Sequence, residues 1–127
     1  MFKTVLFPID QSREAFETAN TAIQLAKNHH SHIIMLSVVQ PERTEMHDTE
    51  FVASLLIRAK EQMEQAGISC EVLEKHGKPA FVICDVADDL NVDLIVMGTR
   101  GINLDSDNES TAARVIQLAP CPVLVVP

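Results

Sequence analysis

The chain has 127 residues, 46% of them hydrophobic and 4% aromatic, with a formal net charge of −8 at pH 7. That length fits one domain whose aliphatic core holds without disulfide or metal staples, and the apolar share excludes a disordered chain. The acidic balance argues against a nucleic-acid binder, which needs a basic face for phosphates, and against attachment to anionic membranes.

No apolar run reaches the length of a membrane span, and Met1-Phe2-Lys3-Thr4 enters a strand pattern directly, without a leader. The expected location is therefore the cytoplasm. The three cysteines, Cys70, Cys84 and Cys121, are odd in number and far apart, which reads as buried thiols. Cys121, held between Pro120 and Pro122, is the one candidate for reactivity.

Strand and helix patterns alternate from one end to the other. Val5-Leu6-Phe7-Pro8-Ile9 reads as a short strand ended by Asp10 and Ser12. From 13 to 28, Phe16, Ala19, Ile23 and Ala26 recur at three- and four-residue spacing, which is one face of a helix. Ile33-Ile34-Met35-Leu36 with Val38-Val39 forms a second strand, apolar on both faces and therefore central. A polar connection from Gln40 to Thr49 leads to a long helix with Val52, Leu55, Leu56, Ala59, Met63 and Ala66 inward, closed by Gly67.

Ile68, Cys70 and Val72 alternate with Ser69 and Glu71, so the third strand has one wet face and belongs at an edge. Gly77 and Pro79 start a third helix whose inner face is Val82, Ile83, Val86 and Leu90. Leu94-Ile95-Val96-Met97 is the fourth strand, and a fourth helix runs from about Ser110 to Leu118 through Ala112, Val115 and Ile116. Val123-Leu124-Val125-Val126 is the last strand. The alternation with short links predicts one α/β domain over 1–127, with a parallel sheet covered on both faces.

In such sheets ligands bind beyond the carboxyl ends of the strands, where the strand order reverses. With the first strand central, Pro8-Ile9-Asp10 and Met97-Gly98 meet there, and Val38-Val39 lies alongside. Asp10 can accept hydrogen bonds from a ribose, and backbone groups of Val38 can read an adenine edge. The N–H groups around Gly98 and Gly101, with a helix N-terminus near Ser110, can hold phosphate. Each piece also has a plain structural use: Gly-x-x-Gly after a strand makes a tight turn, and Asp10 suits a helix cap.

Other patterns carry less. His29, His30 and His32 fall at a helix end and a strand start, where the helix dipole favours cations, rather than in a metal cluster. Ser12 and Ser37 have no partner histidine that the sequence can place, and a Gly-x4-Gly-Lys-Ser/Thr loop is absent, so no catalytic residue is assigned.

Along nearly its whole length the chain resembles the universal stress protein family. The resemblance rests on Val5-Leu6-Phe7-Pro8-Ile9-Asp10-x-Ser12, on Gly77-x-Pro79 and on the stretch Asp93 to Gly101. It also rests on the closing Ala119-Pro120-Cys121-Pro122-Val123-Leu124-Val125-Val126. It implies a single-domain, Rossmann-like three-layer sandwich: a five-stranded parallel sheet in the order 3-2-1-4-5 with four helices, usually a homodimer. One branch of the family binds ATP through G-x2-G-x9-G-S/T, and another lacks that motif and does not bind it. Carried over, the adenosine-side positions are Pro8, Asp10, Val38, Met97 and Gly98, and the phosphate-side positions are Arg100, Gly101 and Ser110.

This sequence falls between the branches. Gly98-x2-Gly101 is present, but nine residues onward stands Thr111-Ala112. Anchoring on the closing segment instead puts Glu109-Ser110 in place of Gly-Ser, with only seven residues after Gly101. Asp105, Asp107 and Glu109 each repel a triphosphate by on the order of 1 kcal/mol at a surface-like dielectric, and Arg100 offsets one of them. A Mg²⁺ ion with the nucleotide offsets more, although the alternating acids themselves read as a solvated loop.

Two readings follow. The first is a cytoplasmic stress-response homodimer that binds an adenine nucleotide, ATP or AMP, with at most weak ATPase activity. The second is a non-nucleotide-binding dimeric interaction module with a degenerated pocket. In both the dimer is expected to form through Val123 to Val126, an apolar strand at the outer edge of the sheet.

Overall fold

Among the described residues nine elements follow one another: β1 (Thr4–Pro8), α1 (Arg13–His29), β2 (His32–Val39), α2 (Thr49–Gln65), β3 (Ser69–His76), α3 (Pro79–Asp89), β4 (Leu94–Gly98), α4 (Thr111–Leu118) and β5 (Val123–Val126). They belong to a computed structural model that describes residues 2–9, 13–39, 49–98 and 111–127. All the strands pair in parallel, in the order β3-β2-β1-β4-β5. This is the expected topology, with four helices among the described residues.

The chain winds outward from β1 through β2 to β3, then returns to the other side of β1 for β4 and β5. That reversal sends the two pairs of helices to opposite faces. Ala19 and Ile23 of α1 and Leu56 and Met63 of α2 pack with Phe7 and Met35. Ile83 of α3 and Val115 of α4 pack with Leu6, Ile34, Leu36 and Ile95 on the other face. Strand residues alternate between the two cores with a period of two, so β1 and β2, covered on both sides, need apolar residues at nearly every position.

Three local expectations shift. β3 runs on to His76 instead of ending near Val72, because its ladder with β2 continues to the pair Val39↔His76 and register outweighs local pattern. Leu90 is 42% exposed rather than inward, because it follows the last residue of α3 and leaves the helical phase at φ −101°, ψ 7°. Ile116 is 57% exposed, because the short α4 turns Ala112 and Val115 inward and the next residue lies about 100° around the helix. The buried side chains of α3 otherwise follow the predicted face, and β5 spans the predicted residues.

The ladder between the two central strands is short. β1 pairs with β2 through Pro8↔Leu36, and β4 pairs with β5 through Gly98↔Val126. β1 and β4 pair only at Val5↔Leu94 and Leu6↔Ile95. In a parallel strand, successive residues bond alternately to the two neighbours. Odd residues of this segment face β2: His32 N–H donates to Lys3 O at 2.8 Å, and Ile9 N–H donates to Leu36 O at 2.8 Å. Even residues face β4, as Asp93 N–H donating to Thr4 O at 2.9 Å demonstrates. Position 8 is even, and proline has no N–H to give. The next rung toward β4 therefore has no donor, and the ladder ends after Leu6.

Replacing Pro8 by Ala supplies that donor. The new amide is expected to exchange as slowly as that of Leu6, read by NMR hydrogen exchange. Net stability should stay within about 1 kcal/mol, because the added hydrogen bond is offset by the freedom the unfolded chain gains. A rapidly exchanging amide at position 8 would mean that something other than the missing N–H ends the ladder.

Candidate functional site

The end of the β1–β4 ladder lies where the winding direction reverses, the place where open α/β sheets hold ligands. Pro8 ends β1, Val38 is the last residue but one of β2, and Met97 and Gly98 end β4. Four of the eight positions singled out in the sequence thus meet at one end of three adjacent strands. The other four, Asp10, Arg100, Gly101 and Ser110, lie outside the described residues.

Val38 and Met97 do not offer their side chains. Both are buried in the core beneath α3 and α4, so what they present at the strand ends is main chain. The alternation of ladder bonds gives its direction. Leu36 O accepts from Ile9, whereas Val39 O accepts from Gly77 N–H at 3.0 Å beside β3. Val38, on the parity of Leu36, directs its N–H and C=O toward the β1 side. On β4, Ile95 N–H donates to Pro122 O at 3.0 Å on the β5 side, so Gly98, of the other parity, faces β1 as well. Ile9 still bonds Leu36 and is buried. Val38 of β2 and Gly98 of β4 thus aim main-chain polar groups toward the strand between them, from strands two spacings, about 9–10 Å, apart. Groups so directed can bond the edge of a flat heterocycle as they would a strand edge.

Two residues at this end stand outside the eight positions that the sequence marks. Ser37, next to Val38, lies on the face of Met35 and Val39, toward α1 and α2. It is fully buried, and its hydroxyl has no hydrogen-bond partner among the described residues. A serine inside an apolar strand run looks like an interruption of the pattern, and only three-dimensional packing exposes it as an unsatisfied group. The second is Thr18, buried in α1 and pressed against Gly98.

The remaining chemistry sits elsewhere. His32 Nδ1 and the Ser69 hydroxyl are 2.7 Å apart and His32 Nε2 stands 3.6 Å from Glu71 Oε1, tying the starts of β2 and β3 together at the amino end of the sheet. His29 meets the ring of Phe2 edge-on, with centroids 5.4 Å apart. Burial, with Asp93 adding to it, pushes the Cys121 thiol above its ordinary range, so this is not an activated nucleophile. Burial likewise raises Cys84 and Cys70. Among the described residues no helix is long and apolar enough to cross a membrane.

The strand order and the two-sided helical cover define a doubly wound α/β domain with a switch point between β1 and β4. The chain belongs to the universal stress protein family, whose family model matches residues 1–127. Universal stress protein Sll1654 of Synechocystis sp. is 49% identical over 136 aligned residues, covering 100% of this chain and 87% of the relative. That span exceeds the 127 residues here, so the relative has residues without a counterpart in this chain. Among solved structures, universal stress protein UspA from Lactobacillus plantarum superposes with a TM-score of 0.75 at 27% identity, covering 99% of this chain and 98% of its own. Two more distant structures share the fold. A universal stress protein in complex with cAMP has a TM-score of 0.81 at 20% identity, covering 98% of this chain and 97% of its own. The universal stress protein from Archaeoglobus fulgidus in complex with dAMP has a TM-score of 0.81 at 22% identity, covering 100% of both chains.

A buried, unpartnered hydroxyl is a net liability to the fold, of about 1–3 kcal/mol. Ser37→Ala removes the polar atom and leaves the backbone intact. Urea unfolding should show a gain of about 1 kcal/mol, and an equal loss would reveal that the hydroxyl is satisfied in the folded protein.

Proposed function

We propose that this protein binds an adenine nucleotide, AMP or ATP, at the carboxyl ends of β1 and β4, and acts as a cytoplasmic, homodimeric stress-response protein rather than an efficient enzyme. The observation that carries this reading is that main-chain groups of Val38 and Gly98 both point toward the end of β1 from its two sides. Their spacing and alternating donors and acceptors suit a purine edge. The cAMP and dAMP held by two relatives of the same fold support the choice of an adenine nucleotide. In this reading Asp10 takes the ribose, and Arg100, Gly101 and Ser110 take phosphate, with Mg²⁺ accompanying ATP. No residue is given a catalytic role.

The two halves of such a site are unequal. The segment after Gly101 is two residues shorter than the ATP-binding pattern and carries Glu109 in place of its glycine. Affinity should therefore come from the adenosine end. Calorimetric titration is expected to give AMP and ATP dissociation constants within a few-fold of each other. Asp10→Ala should weaken both by about tenfold or more, the loss of a charged hydrogen-bonding partner. ATP binding more than about a hundredfold tighter than AMP would overturn the unequal site. The short acidic segment favours the second reading, an interaction module with a degenerated pocket, and flat titrations with both nucleotides would establish it.

The homodimer rests on β5. This strand is the last in the sheet order, paired among the described residues with β4 alone, and Leu124 is 37% exposed on an otherwise apolar segment. An uncovered apolar edge is a template for aggregation unless another chain pairs with it. Pro122 and Pro127 bound the strand, which suits a short two-fold contact with a second copy rather than an open fibre. Sedimentation is expected to show a dimer at micromolar concentration. Leu124→Lys with Val126→Lys should shift it to monomer or aggregate. A wild type that sediments as a monomer at every concentration would remove the dimer from this reading.

A further inference from the structure

We infer that Thr18 is a positioning residue of the nucleotide site, setting through Gly98 how closely α1 lies against the end of β4; this rests on the nucleotide reading above. Gly98 is the last residue of a regular strand, and its φ lies outside the left-handed region, so conformation does not call for glycine there. Contact does. A Cβ at position 98 would stand 2.8 Å from Thr18 Oγ1, a separation that real side chains do not tolerate. The nearest main-chain atom, Val126 O, is farther away at 3.7 Å. Thr18 itself is 5% exposed, held in the layer between α1 and the sheet. The room that glycine leaves is therefore taken up by the helix.

This changes what the glycine of the Gly98-x-x-Gly101 signature does. A bare backbone after a strand is easily read as open space for a ligand. Here the hydroxyl of Thr18 fills one side of it, and the side that remains is the one toward β1, where the main-chain groups of Gly98 point. The fit of Thr18 to Gly98 fixes the distance between helix and strand, and with it the position of those groups. Size at position 18 is thus linked to the geometry of the site by one contact.

A double-mutant cycle separates this role from its rivals. AMP is titrated well below the thermal midpoint into the wild type, Gly98→Ala, Thr18→Ala and the double variant, and the midpoints are measured beside it. Gly98→Ala should lower the midpoint and weaken AMP about tenfold or more. Thr18→Ala, which opens a gap, should weaken AMP about threefold. In the double variant the methyl at 98 occupies the space vacated at 18, and AMP affinity should return to within about threefold of wild type along with the midpoint. If Gly98→Ala does not fold, Thr18→Ala and the double variant still decide the matter. A double variant that regains its midpoint while AMP stays tenfold weak would overturn the inference, since the ligand itself would then demand a bare backbone. AMP affinity unchanged in every variant would overturn it too, leaving a purely structural contact. No AMP binding by the wild type would bring down the nucleotide reading and the inference together, and a flat titration of the unmutated protein distinguishes that outcome from the others.

Discussion

The central strand of this sheet lacks one N–H, and it lacks it on the side that matters. Position 8 alternates toward β4, so a proline there ends the β1–β4 ladder while leaving the β1–β2 ladder intact through Leu36. Proline in a central strand is normally excluded because it removes a rung. Here the rung removed is the last one, at the carboxyl end, between the two strands at which winding reverses. Strand order alone makes a switch point, and the missing donor opens it.

The two cores keep that opening in place. On one face α1 and α2 pack on Phe7, Met35 and Val96, and on the other α3 and α4 pack on Leu6, Leu36 and Met97. Every strand that borders the crevice is held from both sides, so its ends cannot close up by sliding. Interiors packed at this density pass displacement from one element to the next. The spacing of helix and strand at Thr18 and Gly98 thus belongs to the same framework as the crevice.

Much of this was legible in the residues. Apolar runs four to eight residues long, separated by amphipathic helical stretches, identify a parallel sheet because only a doubly covered strand can be apolar on both faces. The strand order came from family resemblance, not from periodicity. Pattern failed where neighbours decide: β3 is extended to His76 by its register with β2, and Leu90 leaves the core because the helix has already ended. At the site, the sequence marks Pro8, Val38 and Gly98 as positions. It does not say that Val38 contributes main chain while its side chain is buried, nor that Gly98 accommodates a threonine eighty residues earlier in the chain. Such facts depend on ladder parity and helix placement, which exist only once the sheet is assembled.

The two ends of the sheet are built from different materials. At the amino end, side chains satisfy main chain and each other: Thr4 N–H donates to Asp93 Oδ2 at 2.9 Å, the Ser31 hydroxyl donates to Phe2 O at 2.5 Å, and Ser69 meets His32. These contacts stitch strand starts to the preceding turns and to each other. At the carboxyl end, among the described residues, the polar surface facing the crevice is main chain from Val38 and Gly98. Main-chain donors and acceptors keep their positions as long as the sheet does, whatever side chains surround them. Polar groups held this way inherit the rigidity of the core, so a change of length or charge in the sequence after Gly98 need not displace them. A short, acidic sequence after Gly101 is therefore compatible with an unaltered arrangement of main chain at the strand ends.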